Sequence, residues 1–200
     1  MKIAIIDYNA GNIRSVDNAL RRLGVEPVIT ADKQLITEAD KVIFPGVGEA
    51  ATTMSFLRKQ GLDTLVKGLK QPVLGICLGM QLMCKHSEEG DTQCLGIFDA
   101  EVKRFVNQRH EDKVPHMGWN TIEKLPEGQK SLFKGVAEGS YVYFVHSYYV
   151  PVGSYTVATT DYIQPFSAAM QQDNFYATQF HPEKSGRVGE QILKNFLFEL

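Results

Sequence analysis

The chain has 200 residues, 44% of them hydrophobic and 22% charged, with a net charge of −2. That is the composition of a globular protein large enough to bury a core. There is no basic surplus for a nucleic-acid partner and no run of about 18 apolar residues for a membrane span, so neither partner is expected.

The N-terminus opens on an apolar run at 3–6, which reads as a buried strand without the cleavage region of a signal peptide. Ile13, Val16, Leu20 and Leu23 then recur at helical spacing, with Gly24 as a C-cap. Further short apolar runs at 25–29, 42–44 and 73–76 are bounded by turn residues, as in a parallel sheet covered on both sides. Residues 49–60 and 62–70 are helix candidates between them. The alternation predicts an α/β fold with a mostly parallel central sheet flanked by helices. Ligands of such sheets gather outside the carboxyl ends of the strands.

From about residue 95 the pattern changes. Strand-like segments at 101–106, 141–150, 155–160 and 175–180 follow one another with Gly, Pro and Asp between them, which predicts antiparallel additions. A terminal helix over about 188–198 carries Val188, Ile192, Leu193, Phe196 and Leu197 on one face. No linker or repeat interrupts the chain, so one domain over 1–200 is expected. Cys77, Cys84 and Cys94 are odd in number and lack metal-ligand spacing, so neither a disulfide framework nor a metal is expected. Free thiols suit a reducing compartment, with the cytoplasm as the default.

Two motifs carry the chemistry. Gly75-Ile76-Cys77-Leu78-Gly79 follows the strand candidate at 73–76 and precedes the helix-like Met80-Gln81-Leu82-Met83. This is the strand–turn–helix setting of a nucleophile elbow, with cysteine in place of serine. Flanking glycines permit the strained backbone, and the helix N-terminus favours thiolate at Cys77. His181-Pro182-Glu183 supplies a base and a carboxylate to orient it. Proline biases His181 toward an extended backbone, and in an extended segment Glu183 shares its face. Cys77, His181 and Glu183 together form an activated-nucleophile triad.

Other segments have two readings each. Pro45-Gly46-Val47-Gly48 is either a tight connection or an oxyanion hole, with the Leu78 amide as a second donor. Gln81 lies one helical turn past Cys77, and Glu89 falls near the helix end; blandly, both are solvated helix residues. His116-Met117-Gly118-Trp119-Asn120 reads as a polar-rich loop after Pro115, either filling core or forming a partner surface. The tyrosine-rich run at 141–149 reads mostly as sheet core, and Cys84 and Cys94 as structural.

The elbow and His181-Pro182-Glu183 resemble the class I (triad) glutamine amidotransferases. Asp7-Tyr8-Asn9-Ala10-Gly11-Asn12, Pro45 to Gly48, Pro115 to Asn120, Phe144-Val145-His146-Ser147-Tyr148 and His181 to Ser185 narrow the likeness. Together they are similar to the branch of glutaminase subunits that serve imidazole glycerol phosphate synthase in histidine biosynthesis. Members often carry glycine where this chain has Asn9. The resemblance covers the whole chain and implies a flavodoxin-like architecture, a single amidotransferase domain and no cofactor. It implies that Cys77 attacks the amide of L-glutamine to give a glutamyl thioester and ammonia, that His181 shuttles the proton, and that Glu183 orients it. It further implies an oxyanion hole from the backbone of Val47, Gly48 and Leu78, with Gln81, Glu89, Ser147 and Tyr148 holding glutamine. The implied partner is a (β/α)₈-barrel cyclase subunit, bound as a heterodimer and docked near Met117, Trp119, Asn120, Tyr143 and Lys184. Rival readings are a glutaminase of another synthase, such as one making an amidated surface sugar, a stand-alone cysteine hydrolase, and a non-catalytic subunit.

Overall fold

The structure is a computed structural model and describes residues 1–8, 11–125 and 132–200. Asn9 and Ala10, which the resemblance drew on, lie outside the described residues. The first half alternates as expected: β1 (Ile3–Ile6), α1 (Ile13–Arg22), β2 (Val28–Thr30), α2 (Lys33–Thr37), β3 (Lys41–Phe44), α3 (Ala50–Gln60), α4 (Leu62–Gly68), β4 (Val73–Ile76) and α5 (Leu78–Met83). The second half runs through β5 (His86–Ser87), β6 (Thr92–Gln93), β7 (Glu101–Arg104), β8 (His116–Lys124), β9 (Ser140–His146) and β10 (Tyr148–Tyr149). It continues with β11 (Thr156–Asp161), β12 (Pro165–Gln172), β13 (Phe175–Thr178), a 3-10 turn (Pro182–Lys184) and α6 (Gly186–Phe198).

Among the described residues the main sheet has the order β2-β1-β3-β4-β13-β12-β11-β8-β9. The strands from β2 to β13 are parallel to one another, and β12, β11, β8 and β9 extend that core antiparallel. A smaller sheet, β10-β7-β5-β6, lies beside it. The order of the parallel strands is that of doubly wound, flavodoxin-like sheets. β1, β3, β4 and β13 are buried along their whole length, which is why their sequences read as unbroken apolar runs rather than alternating ones. α1 turns Ile13, Val16, Ala19 and Leu20 inward.

Several expectations are corrected. The run at 25–29 is not a buried central strand: β2 starts at Val28, lies at the sheet edge, and exposes Val28 and Ile29. The segment His116 to Asn120 is not a loop but the start of β8, paired residue for residue with β9 from His116↔His146 to Ile122↔Ser140. The tyrosine-rich run is core only in part, because Tyr141 is exposed and Tyr149 buried. α6 begins two residues before the expected 188, at Gly186. α2 and β12 had no separate signal in the sequence.

Candidate active site

β4 ends at Ile76, and the chain reverses sharply at Cys77, whose φ of 54° and ψ of −107° lie where non-glycine residues are strained. α5 starts at the next residue, so Cys77 sits at the positive end of its dipole. Gly46, in the loop after β3, packs against this elbow. A Cβ there would lie 2.6 Å from the Gly79 nitrogen and 2.7 Å from both Leu78 Cβ and the Tyr8 hydroxyl, so only glycine allows the approach.

β13 runs beside β4 and carries the chain to His181, which is extended at φ −100° and ψ 96°. Glu183 reaches it differently from the face-sharing of an extended segment. Residues 182–184 coil into a 3-10 turn, and this turn brings Glu183 Oε1 to 2.8 Å from His181 Nδ1. Both side chains are wholly buried. Because the carboxylate accepts, Nδ1 carries a hydrogen, and any proton exchange with the nucleophile falls to Nε2. Nε2 is buried and has no hydrogen-bond partner among the described residues. Burial alone would lower the His181 pKa, but the Cys77 sulfur and the Glu183 carboxylate outweigh it and raise it.

A cleft of about 300 Å³ opens over Cys77. Val47, Gly48 and Leu78 line it, as do Gln81, Glu89, Ser147 and Tyr148, together with Pro115, Val145 and His146. The structure thus brings every residue expected to hold an oxyanion or glutamine to one cavity. A larger depression of about 720 Å³, lined by Lys33, Gly61 and Gln71 among others, has no Cys, His, Asp or Glu among its lining residues. Among the described residues no three His, Cys, Asp or Glu side chains come together as a metal site.

Within the cleft two details differ from expectation. The Leu78 amide donates to the Gly46 carbonyl at 3.3 Å and so is not free for a ligand. Glu89 lies past the end of α5, in the turn between β5 and β6, and its Oε2 accepts the Ala50 amide at the start of α3, at 2.8 Å. Burial raises the Glu89 pKa, the Ala50 amide opposes this, and Glu49 adds to the rise.

On β8 the pleat separates the expected docking residues. Met117 and Trp119 point outward and are 63% and 55% exposed. Trp119 meets the Tyr143 ring edge-on at 6.0 Å, and Lys184 Nζ lies 6.0 Å from that ring's centroid. Asn120 has the other parity and turns inward, donating to the Asp161 carbonyl at 2.9 Å.

Sequence reasoning missed the contributions of five residues. Asn12, the N-cap of α1, donates to Glu183 Oε1 at 3.3 Å across a separation of 171 residues. Tyr8 donates its hydroxyl to the Pro45 carbonyl, and burial beside Cys77 pushes its pKa far up. Gln179 Nε2 reaches Cys77 Sγ at 3.7 Å. Finally, His116 Nδ1 and His146 Nε2 are 2.9 Å apart in the core. Burial holds His116 down at about 4, and burial also holds His146 down at about 3, helped by the two neighbouring histidines and opposed by the Tyr148 carbonyl. Gln179 had a faint signal, being a lone amide in the run 175–180 and two residues from His181.

The model of the glutamine amidotransferase class-I family matches residues 4–200. The subunit HisH of imidazole glycerol phosphate synthase from Bacteroides thetaiotaomicron is 69% identical over 197 residues, 98% of this chain and 99% of that protein. The protein of the same name from Escherichia coli strain K12 is 46% identical over 198 residues, with the same coverage. A solved structure of a putative GMP synthase component from Thermoplasma acidophilum aligns with a TM-score of 0.74 at 22% identity, covering 98% of this chain and 92% of that one. At that identity it speaks for the fold.

Proposed function

The chain belongs to the class I glutamine amidotransferases, and from that premise we propose that it is the glutamine-hydrolysing subunit of an imidazole glycerol phosphate synthase. The observation that carries the chemistry is Cys77 on a positive-φ elbow above a buried His181–Glu183 pair. The pathway reading is supported by the names of relatives at 46–69% identity over nearly their whole length.

In this reading Cys77 gives its proton to His181 Nε2 and attacks the side-chain amide carbon of glutamine. Imidazolium then protonates the departing nitrogen, ammonia leaves, and a glutamyl thioester remains. Water, deprotonated by the same nitrogen, hydrolyses the thioester to glutamate. Glu183 holds the tautomer and balances the imidazolium. Glu89 accepts the substrate ammonium, and Gln81 with the 147–148 backbone frames the rest of the head group. A free thiol of this kind works in a reducing compartment such as the cytoplasm.

The oxyanion must be met by backbone amides, yet the Leu78 amide is bonded to Gly46. Rotation of the Gly46–Val47 peptide would withdraw that carbonyl, release Leu78 N–H and turn the Val47 amide toward the developing charge. Docking of a (β/α)₈-barrel cyclase subunit on Met117, Trp119, Tyr143 and Lys184 is the trigger in this account. The ammonia then passes to that partner.

The test is glutamine hydrolysis by the purified chain, alone and with a cyclase subunit carrying its nucleotide ligand. Weak activity alone, strong activation in the complex and loss of both in Cys77→Ala support the reading. Equal activity in both states points to a stand-alone hydrolase, and no activation by this cyclase points to another synthase, such as one of surface-sugar amidation.

A further inference from the structure

The backbone oxygen of Tyr148 can only accept hydrogen bonds, and it accepts two: from His146 Nδ1 at 2.7 Å and from Gln81 Nε2 at 3.0 Å. Each contact dictates the next. On one arm, Gln81 must turn its NH₂ group to this oxygen, and the same group meets Gln179 Oε1 at 3.1 Å. Gln179 is fully buried, and its remaining polar atom, Nε2, therefore faces Cys77 Sγ at 3.7 Å. On the other arm, His146 Nε2 must accept, so His116 Nδ1 donates to it at 2.9 Å. His116 Nε2 then accepts from Asn120 Nδ2 at 3.4 Å. Every donor along these two arms finds an acceptor, and both histidines are neutral.

We propose that Gln179 is a catalytic residue of this site: its amide N–H donates to the Cys77 sulfur and stabilises the thiolate, and the hydrogen-bond chain anchored on the Tyr148 carbonyl keeps that amide from flipping. The proposal rests on Cys77 being the nucleophile. A flipped Gln179 would set its oxygen against the thiolate and its NH₂ against the NH₂ of Gln81, both unfavourable. The N–H···S separation is long because sulfur is large, and the bond strengthens when the acceptor is an anion. Gln179 need not reach substrate; it acts on the reacting atom itself. The titratable groups that face the sulfur are His181 beyond β13 and Tyr8 beyond β1, with Glu89 and His146 lining the same cleft. None of these is altered in the variants below.

The test is the pH dependence of iodoacetamide alkylation at Cys77, followed on the full chain in a Cys94→Ser background with Cys77→Ser as the blank. Gln179→Leu removes the donor and moves the alkylation midpoint up by about one pH unit, with about tenfold slower glutamine hydrolysis at pH 7. Gln179→Glu keeps the acceptor for Gln81 but sets a carboxylate against the sulfur, and moves the midpoint further up. Gln81→Leu, which frees the amide to flip, moves it in the same direction. Should the leucine variant fail to fold, Gln81→Leu decides, since it adds no charge and keeps Gln179 itself, and a purely structural Gln179 would leave that midpoint where it is. Unmoved midpoints in folded variants overturn the proposal while the nucleophile reading stands. Full hydrolysis by Cys77→Ser would instead remove the nucleophile reading itself.

Discussion

Replacing His116 with phenylalanine should change how stability responds to acid. His116 is buried, stacked on Phe144 at 4.8 Å and on Tyr162 at 4.0 Å, so Phe keeps the ring contacts and loses the hydrogen bonds. The folded pKa of this ring lies at about 4, against 6.5 for an unhindered histidine. Between those values the unfolded chain binds a proton that the folded chain does not, so stability falls as pH falls. At pH 5 the loss is 1.5 pH units at about 1.36 kcal/mol each, or about 2 kcal/mol. The figure depends on the folded value only in that the ring is still neutral at pH 5. At pH 7.5 the variant starts about 1–2 kcal/mol less stable, through two lost hydrogen bonds and an unpaired His146 Nε2. Below pH 6.5 the wild type then loses the extra 2 kcal/mol and the variant does not, so the two stability curves converge. His181, with its raised pKa, works in the opposite sense: its contribution is complete below pH 6.5 and fades as pH rises toward 10. Because His181 is present in both proteins, the difference between them reports on His116 together with its hydrogen-bonded partner His146, whose pKa burial keeps low. Urea unfolding followed by circular dichroism at steps from pH 5 to 7.5 measures it. Parallel curves would refute the neutral-histidine argument.

Three further outcomes are expected. Glu183→Gln preserves the shape beside His181 but removes the carboxylate paired with its buried ring, so glutamine turnover falls by about 10²–10⁴ and the melting temperature near neutrality falls as well; stopped assays and thermal melts read the two. Gly79→Ala places a Cβ inside the Phe44 carbonyl and should cost about 3 kcal/mol or more, read as lost soluble yield or a lowered melting temperature. Trp119→Ala leaves stability unaltered but weakens the complex with the cyclase subunit by about 2 kcal/mol in titration calorimetry. An unchanged dissociation constant would remove the β8–β9 face as the docking surface.

Much of the site was legible because its decisive residues are local. The elbow needs only a strand, a cysteine between glycines and a helix start, all within residues 73–83. His181, Pro182 and Glu183 are contiguous, so their pairing could be expected even though a 3-10 turn, not an extended segment, achieves it. The turn at 46–48 had an oxyanion-hole reading of its own and Gln81 lies one helical turn past Cys77, but residues 147–148 were reached only through the family resemblance, since nothing in their spacing brings them to the others.

Other features depended on pairings that a linear reading does not contain. Whether His116 to Asn120 is loop or strand turned on β9 lying alongside it. Once it is a strand, its two-residue alternation sends Trp119 out and Asn120 in. Likewise Val28 and Ile29 are apolar and strand-forming, but only the sheet order shows that they lie on an uncovered edge. Asn12 with Glu183, Gln179 with Cys77, and His116 with His146 are contacts across long stretches of chain. What the sequence determined by itself is the strand–helix alternation of the first half and the candidate nucleophile and base, because periodicity and tight turns are short-range properties of the backbone. What only the tertiary structure decided is the polarity of the buried hydrogen-bond chain and the bond between the Leu78 amide and the Gly46 carbonyl. Both are set by which donor meets which acceptor when distant segments pack.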